Sequence, residues 1–119
     1  MALRESAEVS EDTEGDLGIV TGRGDGDAGV PHGQFLIRLA DAVAGWSWDE
    51  VTRLRHIGVN LVGPEATSDA ILVAAGFNGI TRVADAIGIR LDSRTANASV
   101  NLRATIGIDD FAPAAKWIA

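Results

Sequence analysis

Hydrophobic and polar residues alternate along the middle of this chain with the period of an α-helix. The longest such stretch runs from Ala66 to Gly88. One face of the helix that it predicts carries apolar or small residues at spacings of four, four, three and four. These residues, here called the apolar stripe, are Leu72, Gly76, Ile80, Val83 and Ile87. Another face carries Asn78, Arg82 and Asp85, here called the polar stripe, whose side chains are close enough in sequence to meet.

The same periodicity predicts an all-α fold of about four helices, with no strand. The expected spans are approximately 33–45, 48–57, 67–88 and 94–106, followed by a short turn or helix that ends in Trp117. Each of the other helices has its own apolar face. The residues expected to be buried are Leu36, Leu39, Ala40 and Val43 in the first helix, Trp48, Val51, Leu54 and Ile57 in the second, and Ala98, Leu102 and Ile106 in the last.

Residues that favour helix ends mark these boundaries. Ser47 to Glu50 matches a capping box, and Thr67 or Ser68 is expected to cap the long helix. Glycines are expected to end the four helices, because glycine readily adopts the left-handed conformation found there. These glycines are Gly45, Gly58, Gly88 and Gly107.

Two glycines, Gly76 and Gly79, lie inside the predicted long helix. Each costs about 1 kcal/mol relative to alanine in a helix interior. Either another helix crosses closely at this point, or a cavity is needed beside Phe77. Large residues flank the glycines and would pack around a close contact, so the crossing is the favoured explanation.

The first 31 residues differ in composition from the rest of the chain. An acidic run extends from Glu5 to Asp16, and the segment from Thr21 to Gly29 places four glycines among charged residues. Such a segment buries too little apolar surface to offset the entropy lost on ordering. The sequence therefore predicts an acidic, Gly/Asp-rich flexible arm over 1–31 and a helical domain over 32–119.

Charge and composition exclude several classes of function. The net charge of −7 argues against binding to nucleic acid or to an anionic membrane surface. The chain has no cysteine, which excludes disulfides, thiolate metal sites and cysteine redox catalysis within it. His32 and His56 match no local metal-ligand spacing, so no metal and no cofactor is expected. The sequence contains no secretory signal and no apolar run long enough to span a bilayer, so a cytoplasmic location is expected.

The segment from Phe77 to Gly88 resembles the closing helix of the alkylhydroperoxidase-D-like and carboxymuconolactone decarboxylase superfamily. Peroxidase-related members often carry Phe-Asn-x-x-Asn-Arg-x-Ala-Asp-x-x-Gly there. Leu54 to Gly58, followed by Ser68 to Ile71, is similar to the helix–turn–helix of that family, and the resemblance covers about residues 33–92. It implies the all-α arrangement of that family and a homo-oligomer, commonly a trimer or hexamer.

Three departures from the family pattern limit what the resemblance implies. Thr81 replaces the second asparagine, and the connection that includes Asn60 to Thr67 is about eight residues longer than usual. The Cys-x-x-Cys-x-x-x-His helix expected before Leu36 is absent. The peroxidase chemistry of the family needs one thiolate to attack the peroxide and a second thiol to resolve the sulfenic acid. That activity is therefore not implied for this chain.

Two functions remain open, besides an unrelated helical adaptor. The favoured one is a degenerate or structural family member that assembles with itself or with a related complete subunit. The alternative is a thiol-independent lyase, isomerase or cyclase with a pocket between helices. In that alternative His56 and Asp85 act as general acid or base, Arg82 holds a substrate carboxylate, and Asn78 orients the substrate. The simpler interpretation of the same residues is a solvent-facing His56 and a surface ion pair between Arg82 and Asp85.

Overall fold

The computed structural model describes residues 17–111, which are all-helical and contain no strand, so the predicted fold class is confirmed over this range. The six helices are α1 (Leu17–Val20), α2 (Gly33–Ala44), α3 (Trp48–Leu61), α4 (Pro64–Ala86), α5 (Ser93–Ala98) and α6 (Val100–Ile106), followed by a 3-10 turn (Ile108–Phe111). The acidic run up to Asp16 and the predicted terminal segment ending at Trp117 lie outside the described residues.

The described residues form two compact units. One is residues 32–87, which comprise α2, α3 and α4, and the other combines residues 17–31 with residues 88–111. The proposed division of the chain into an arm over 1–31 and a domain over 32–119 stays a prediction.

The unit of residues 32–87 is a three-helix arrangement around a small core. Leu39 of α2 and Leu54 of α3 are each only 1% exposed, and Phe35 and Ala42 complete the buried cluster. Partly buried residues surround this cluster, and they are Leu36, Val43, Val51, Val62, Ala70 and Ile71. The core therefore forms where α2, α3 and the first half of α4 meet.

The predicted buried residues are only partly correct. Leu39 and Leu54 are confirmed, whereas Ala40, Trp48, Ile57 and Ala98 are exposed. The buried face of α2 is rotated towards Phe35 and Ala42. The buried face of α3 is centred on Leu54 and Gly58, which leaves Ile57 about a quarter turn away from it.

The boundary between α3 and α4 was predicted wrongly. α3 continues past Gly58 to Leu61, and only Val62 and Gly63 separate it from α4, so the predicted long connection does not exist. Pro64 is the first residue of α4, where the fixed φ of proline suits a helix and its missing N–H leaves no donor unpaired. Gly63 precedes it with φ 94°, a conformation that strongly favours glycine.

The predicted side-chain caps at the starts of α3 and α4 are also wrong. Thr67 and Ser68 lie inside α4, where their hydroxyls donate to the carbonyls of Gly63 and Pro64 at 2.7 and 2.9 Å. Ser47 makes no side-chain capping bond to α3. Glu50 is held by Arg38 and Arg53 instead of reaching back to Ser47.

Left-handed residues occur at some of the predicted positions. Gly45 has φ −83°, and the left-handed residue after α2 is Trp46 with φ 58°. Gly88 and Gly107, with φ 69° and 67°, are left-handed as predicted.

In the second unit the predicted helix over 94–106 is interrupted at Ser99. The Asp92 carboxylate caps α5 by accepting from the Thr95 N–H at 2.9 Å. The buried Ser99 hydroxyl donates to the Thr95 carbonyl at 2.6 Å, and such bonds compete with continuous helix. Thr21 joins the α1 segment to α6, because its hydroxyl donates to the Ile106 carbonyl at 2.6 Å.

Candidate functional site

The polar stripe lies on the solvent-facing second half of α4. Arg82 Nε donates to Asn78 Oδ1 at 2.8 Å, one helical turn away. Asp85 is exposed, and within residues 17–111 the Arg82 side chain contacts Asn78 rather than Asp85. The asparagine amide is thus held by its own helix, which accounts for a polar residue at this mid-helix position.

His56 lies on the exposed side of α3, as the simpler interpretation expected. The structure shows its backbone carbonyl accepting from Asn60 Nδ2 at 3.0 Å. Its assignment as a general acid or base, together with Asp85, stays a prediction. The same holds for substrate binding by Asn78 and Arg82.

Two of the open grooves within residues 32–87 are lined by residues other than the four predicted site residues. The first, of about 690 Å³, is lined by Trp46, Ser47, Trp48, Asp49, Glu50 and Arg53. The second, of about 600 Å³, is lined by Val62, Gly63, Pro64, Glu65, Ser68 and Asp69. In the first groove the two indole rings meet edge to face, with centroids 5.4 Å apart.

Glu50 beside the first groove is held by two arginines. Arg53 Nε donates to Glu50 Oε2 at 2.7 Å, and Arg38 Nη2, from α2, donates to Glu50 Oε1 at 3.1 Å. Chiefly the hydrogen bonds from Arg53 lower the pKa of the Glu50 carboxyl below its ordinary value. The spacing of Glu50 and Arg53 predicts their pairing, whereas the contact with Arg38 depends on how α2 packs against α3.

The two faces of α4 differ in what they contact. Thr67 on the inward face is 1% exposed, and Ala70 and Ile71 pack against the core. The apolar stripe points away from this core. Its four large side chains are exposed by 60–68%, and they are Leu72, Ile80, Val83 and Ile87. Val73 and Phe77, at 58% and 67%, extend the same exposed apolar surface on one side.

The glycines of the unit also differ in what surrounds them: Gly58 lies against the core, whereas Gly76 and Gly79 lie in open space. A Cβ built on Gly58 would lie 2.7 Å from both Phe35 Cζ and Thr67 Oγ1, so α3 approaches its neighbours closely there. A Cβ built on Gly76 or Gly79 would meet nothing within 4 Å. The helix crossing predicted at Gly76 and Gly79 is therefore not made by the described part of this chain, and the close approach occurs at Gly58 instead.

Comparisons with protein-family models, with characterised proteins and with solved structures find no significant match to this chain. The resemblance to the carboxymuconolactone decarboxylase superfamily therefore stays a prediction. Among residues 17–111, no helix has both the length and the apolar character needed to cross a membrane. The same residues contain no group of three acidic or histidine side chains that could hold a metal ion.

The feature that distinguishes this unit is therefore the outward face of α4. Sequence periodicity identified the apolar stripe, but only the packing of α2 and α3 on the opposite face shows that the stripe is free of contacts with the core. The exposed Trp46 and Trp48 pair was not predicted, because the helical spacing of Trp48 with Val51 and Leu54 predicts a common buried face.

Proposed function

We propose that this protein is a non-peroxidase helical subunit that assembles with itself through the apolar stripe of α4. One observation carries the proposal. The most regular apolar face in the chain is exposed, while the opposite face of the same helix packs on the core. A soluble monomer rarely exposes a contiguous apolar surface of this kind.

The energetics favour burial of this face in an assembly. Burying a whole Leu, Ile or Val side chain stabilises by about 1.5–3 kcal/mol, and the stripe offers four such side chains that are more than half exposed. Part of this gain is offset by the translational and rotational entropy lost on association.

The chemistry of the chain supports a structural role. With no cysteine, this chain supplies no thiolate for peroxide reduction. The resemblance to carboxymuconolactone decarboxylases and alkylhydroperoxidase-D-like proteins supports self-assembly, since members of that superfamily are typically homo-oligomers. No contact among residues 17–111 favours the alternative lyase, isomerase or cyclase over this role.

Light scattering coupled to gel filtration tests the proposal on the full chain. The expected mass is a whole multiple, at least two, of 12.4 kDa. Ile80→Asp places a charge in the middle of the stripe and is expected to reduce the mass to that of one chain while the helical circular dichroism persists. Thr81→Asp is the matched control, because Thr81 is exposed on a different face, and it should leave the mass unchanged. A wild-type protein that elutes as a single chain at high concentration would overturn the proposal.

A further inference from the structure

The apolar stripe together with Gly79 has a spacing that is the same in both directions along α4. The six positions are Leu72, Gly76, Gly79, Ile80, Val83 and Ile87. The intervals between them are four, three, one, three and four residues. A face with this symmetry fits a second copy of itself running in the opposite direction, because an isologous contact sets residue i against residue j and residue j against residue i.

We propose that two copies of this chain pair through antiparallel α4 helices, with the twofold axis between Gly79 and Ile80. This inference rests on the self-assembly proposed above and specifies its geometry. It sets Leu72 against Ile87 of the other copy. It also sets Gly76 against Val83, so that a branched side chain enters the space left by a glycine, and Gly79 against Ile80 in the same way.

The open glycines support this pairing. No atom lies within 4 Å of a Cβ built on Gly76 or Gly79, although a glycine in mid-helix is unfavourable. Antiparallel pairing gives each glycine a large residue to receive, and small residues allow two helix axes to approach closely. The two glycines then have a packing role that the described part of a single chain does not supply.

Charge distinguishes antiparallel from parallel pairing. Glu65 and Asp69 are exposed and continue the stripe towards the start of α4, seven and three residues before Leu72. Parallel, in-register helices would bring each carboxylate next to its own copy, and like charges at such positions repel. Antiparallel helices separate the two copies of Asp69 by about 30 Å along the axis.

The surface is large enough for a specific pair. The four large stripe residues with Val73 and Phe77 are 58–68% exposed, and complete burial of these six side chains would remove on the order of 600 Å² of apolar surface per copy from water. Stable interfaces bury about 600–1,000 Å² per partner. The α4 face therefore reaches the lower part of this range, before flanking residues contribute.

Single cysteines test the geometry directly, because the chain contains none of its own. Ile80→Cys lies beside the twofold axis and is expected to form a disulfide-linked dimer at least tenfold faster than Thr81→Cys, the exposed control. Leu72→Cys alone is expected to form no disulfide-linked dimer, since about 22 Å separates the two copies of residue 72 along the axis. Leu72→Cys mixed with Ile87→Cys is expected to form the mixed dimer on oxidation.

The outcomes separate this inference from the proposed function. A wild-type protein that is a single chain by light scattering contradicts both. An oligomer in which Leu72→Cys links to its own copy contradicts antiparallel pairing and leaves self-assembly standing. An oligomer in which Leu72→Cys and Ile87→Cys form no mixed disulfide also contradicts antiparallel pairing and leaves self-assembly standing. An even-numbered assembly, a dimer or a hexamer built of three pairs, agrees with the inference, and an isolated trimer contradicts it.

Discussion

The two long faces of α4 show how little of a helix a small core needs. The inward face meets α2 and α3 through Thr67, Ala70 and Ile71, all near the start of the helix. The outward face carries larger apolar side chains over a greater length and remains exposed. The comparison shows that apolar periodicity predicts which residues share a face of a helix, without showing whether the subunit itself covers that face.

Gly58 and Gly76 give the same lesson at single positions. Both lie inside helices, and both are unfavourable there relative to alanine. At Gly58 the cost is offset by close contact with Phe35 and Thr67, whereas at Gly76 no described atom is near enough to supply such a contact. Substitutions matched between the two faces therefore test the comparison. Each is best measured in the Ile80→Asp background, which is expected to remove the proposed assembly.

The largest expected difference is between two leucine truncations. Leu54→Ala removes a side chain that is 1% exposed and is expected to lower the free energy of unfolding by about 3–5 kcal/mol. Leu72→Ala, at a position 68% exposed, is expected to lower it by less than about 1 kcal/mol. Urea unfolding followed by circular dichroism measures both. Equal losses would mean that the outward face contributes to the fold of the single subunit.

The glycines are expected to respond in opposite directions. Gly58→Ala brings its Cβ to 2.7 Å from Phe35 Cζ and from Thr67 Oγ1, which should lower the free energy of unfolding by roughly 2 kcal/mol. Gly76→Ala adds a methyl group in open space and should raise it by up to about 1 kcal/mol through helix propensity. The midpoint of urea unfolding shows whether each substitution raises or lowers the free energy of unfolding. Stabilisation by Gly58→Ala would show that α3 and α4 separate easily.

Two hydroxyls on α4 make the same bond in different surroundings. The Thr67 hydroxyl is buried and donates to the Gly63 carbonyl, while the Ser68 hydroxyl is exposed and donates to the Pro64 carbonyl. Thr67→Val keeps the shape and removes the bond, at an expected cost of about 1 kcal/mol. Ser68→Ala should cost nearly nothing, because water replaces the lost partner. Thermal unfolding distinguishes them, and a larger effect at Ser68 would contradict the inward assignment of Thr67.

The smallest expected effect is the pH dependence at Glu50. Its pKa in the folded state is lowered chiefly by hydrogen bonds from Arg53, so its stabilising contribution is present above the ordinary value of 4.5. That contribution is lost as the pH falls through the lowered pKa. The difference in melting temperature between the wild type and Glu50→Gln should therefore be small at neutral pH and vanish in acid.

Asp49→Asn, one position earlier, is the control variant. Because Arg38 and Arg53 donate to the Glu50 carboxylate, Asp49→Asn is expected to change the melting temperature at neutral pH less than Glu50→Gln does. A difference at Glu50 that grows in acid would contradict the sign of the pKa shift.

Sequence reasoning succeeded where a local signal decides the structure. Helical periodicity gave the all-α class, and Leu39 and Leu54 lie in the core as predicted. The left-handed glycines after α4 and α6 were also predicted, since few other residues accept that conformation without strain. The contact between Arg82 and Asn78 follows from their spacing on one helix.

The wrong predictions concern positions where contacts with distant segments of the chain determine the local structure. Gly58 is typical of a helix end, but the approach of Phe35 and Thr67 makes it an interior packing position. Gly63-Pro64 suggested a long turn, whereas proline at a first helical position allows α4 to begin almost at once. The arginine from α2 that reaches Glu50 could not be predicted, because the contact depends on how two helices are packed together.

The two-residue connection between α3 and α4 has a consequence for folding kinetics. With such short connections, the helices that form the core of residues 32–87 are neighbours along the chain. Folds dominated by local contacts form in microseconds to milliseconds, whereas two subunits associate at a rate that depends on their concentration. Refolding is therefore expected to show a fast phase independent of concentration, followed by a slower bimolecular one. Between the two phases each newly folded chain presents its outward α4 face to every other protein in solution.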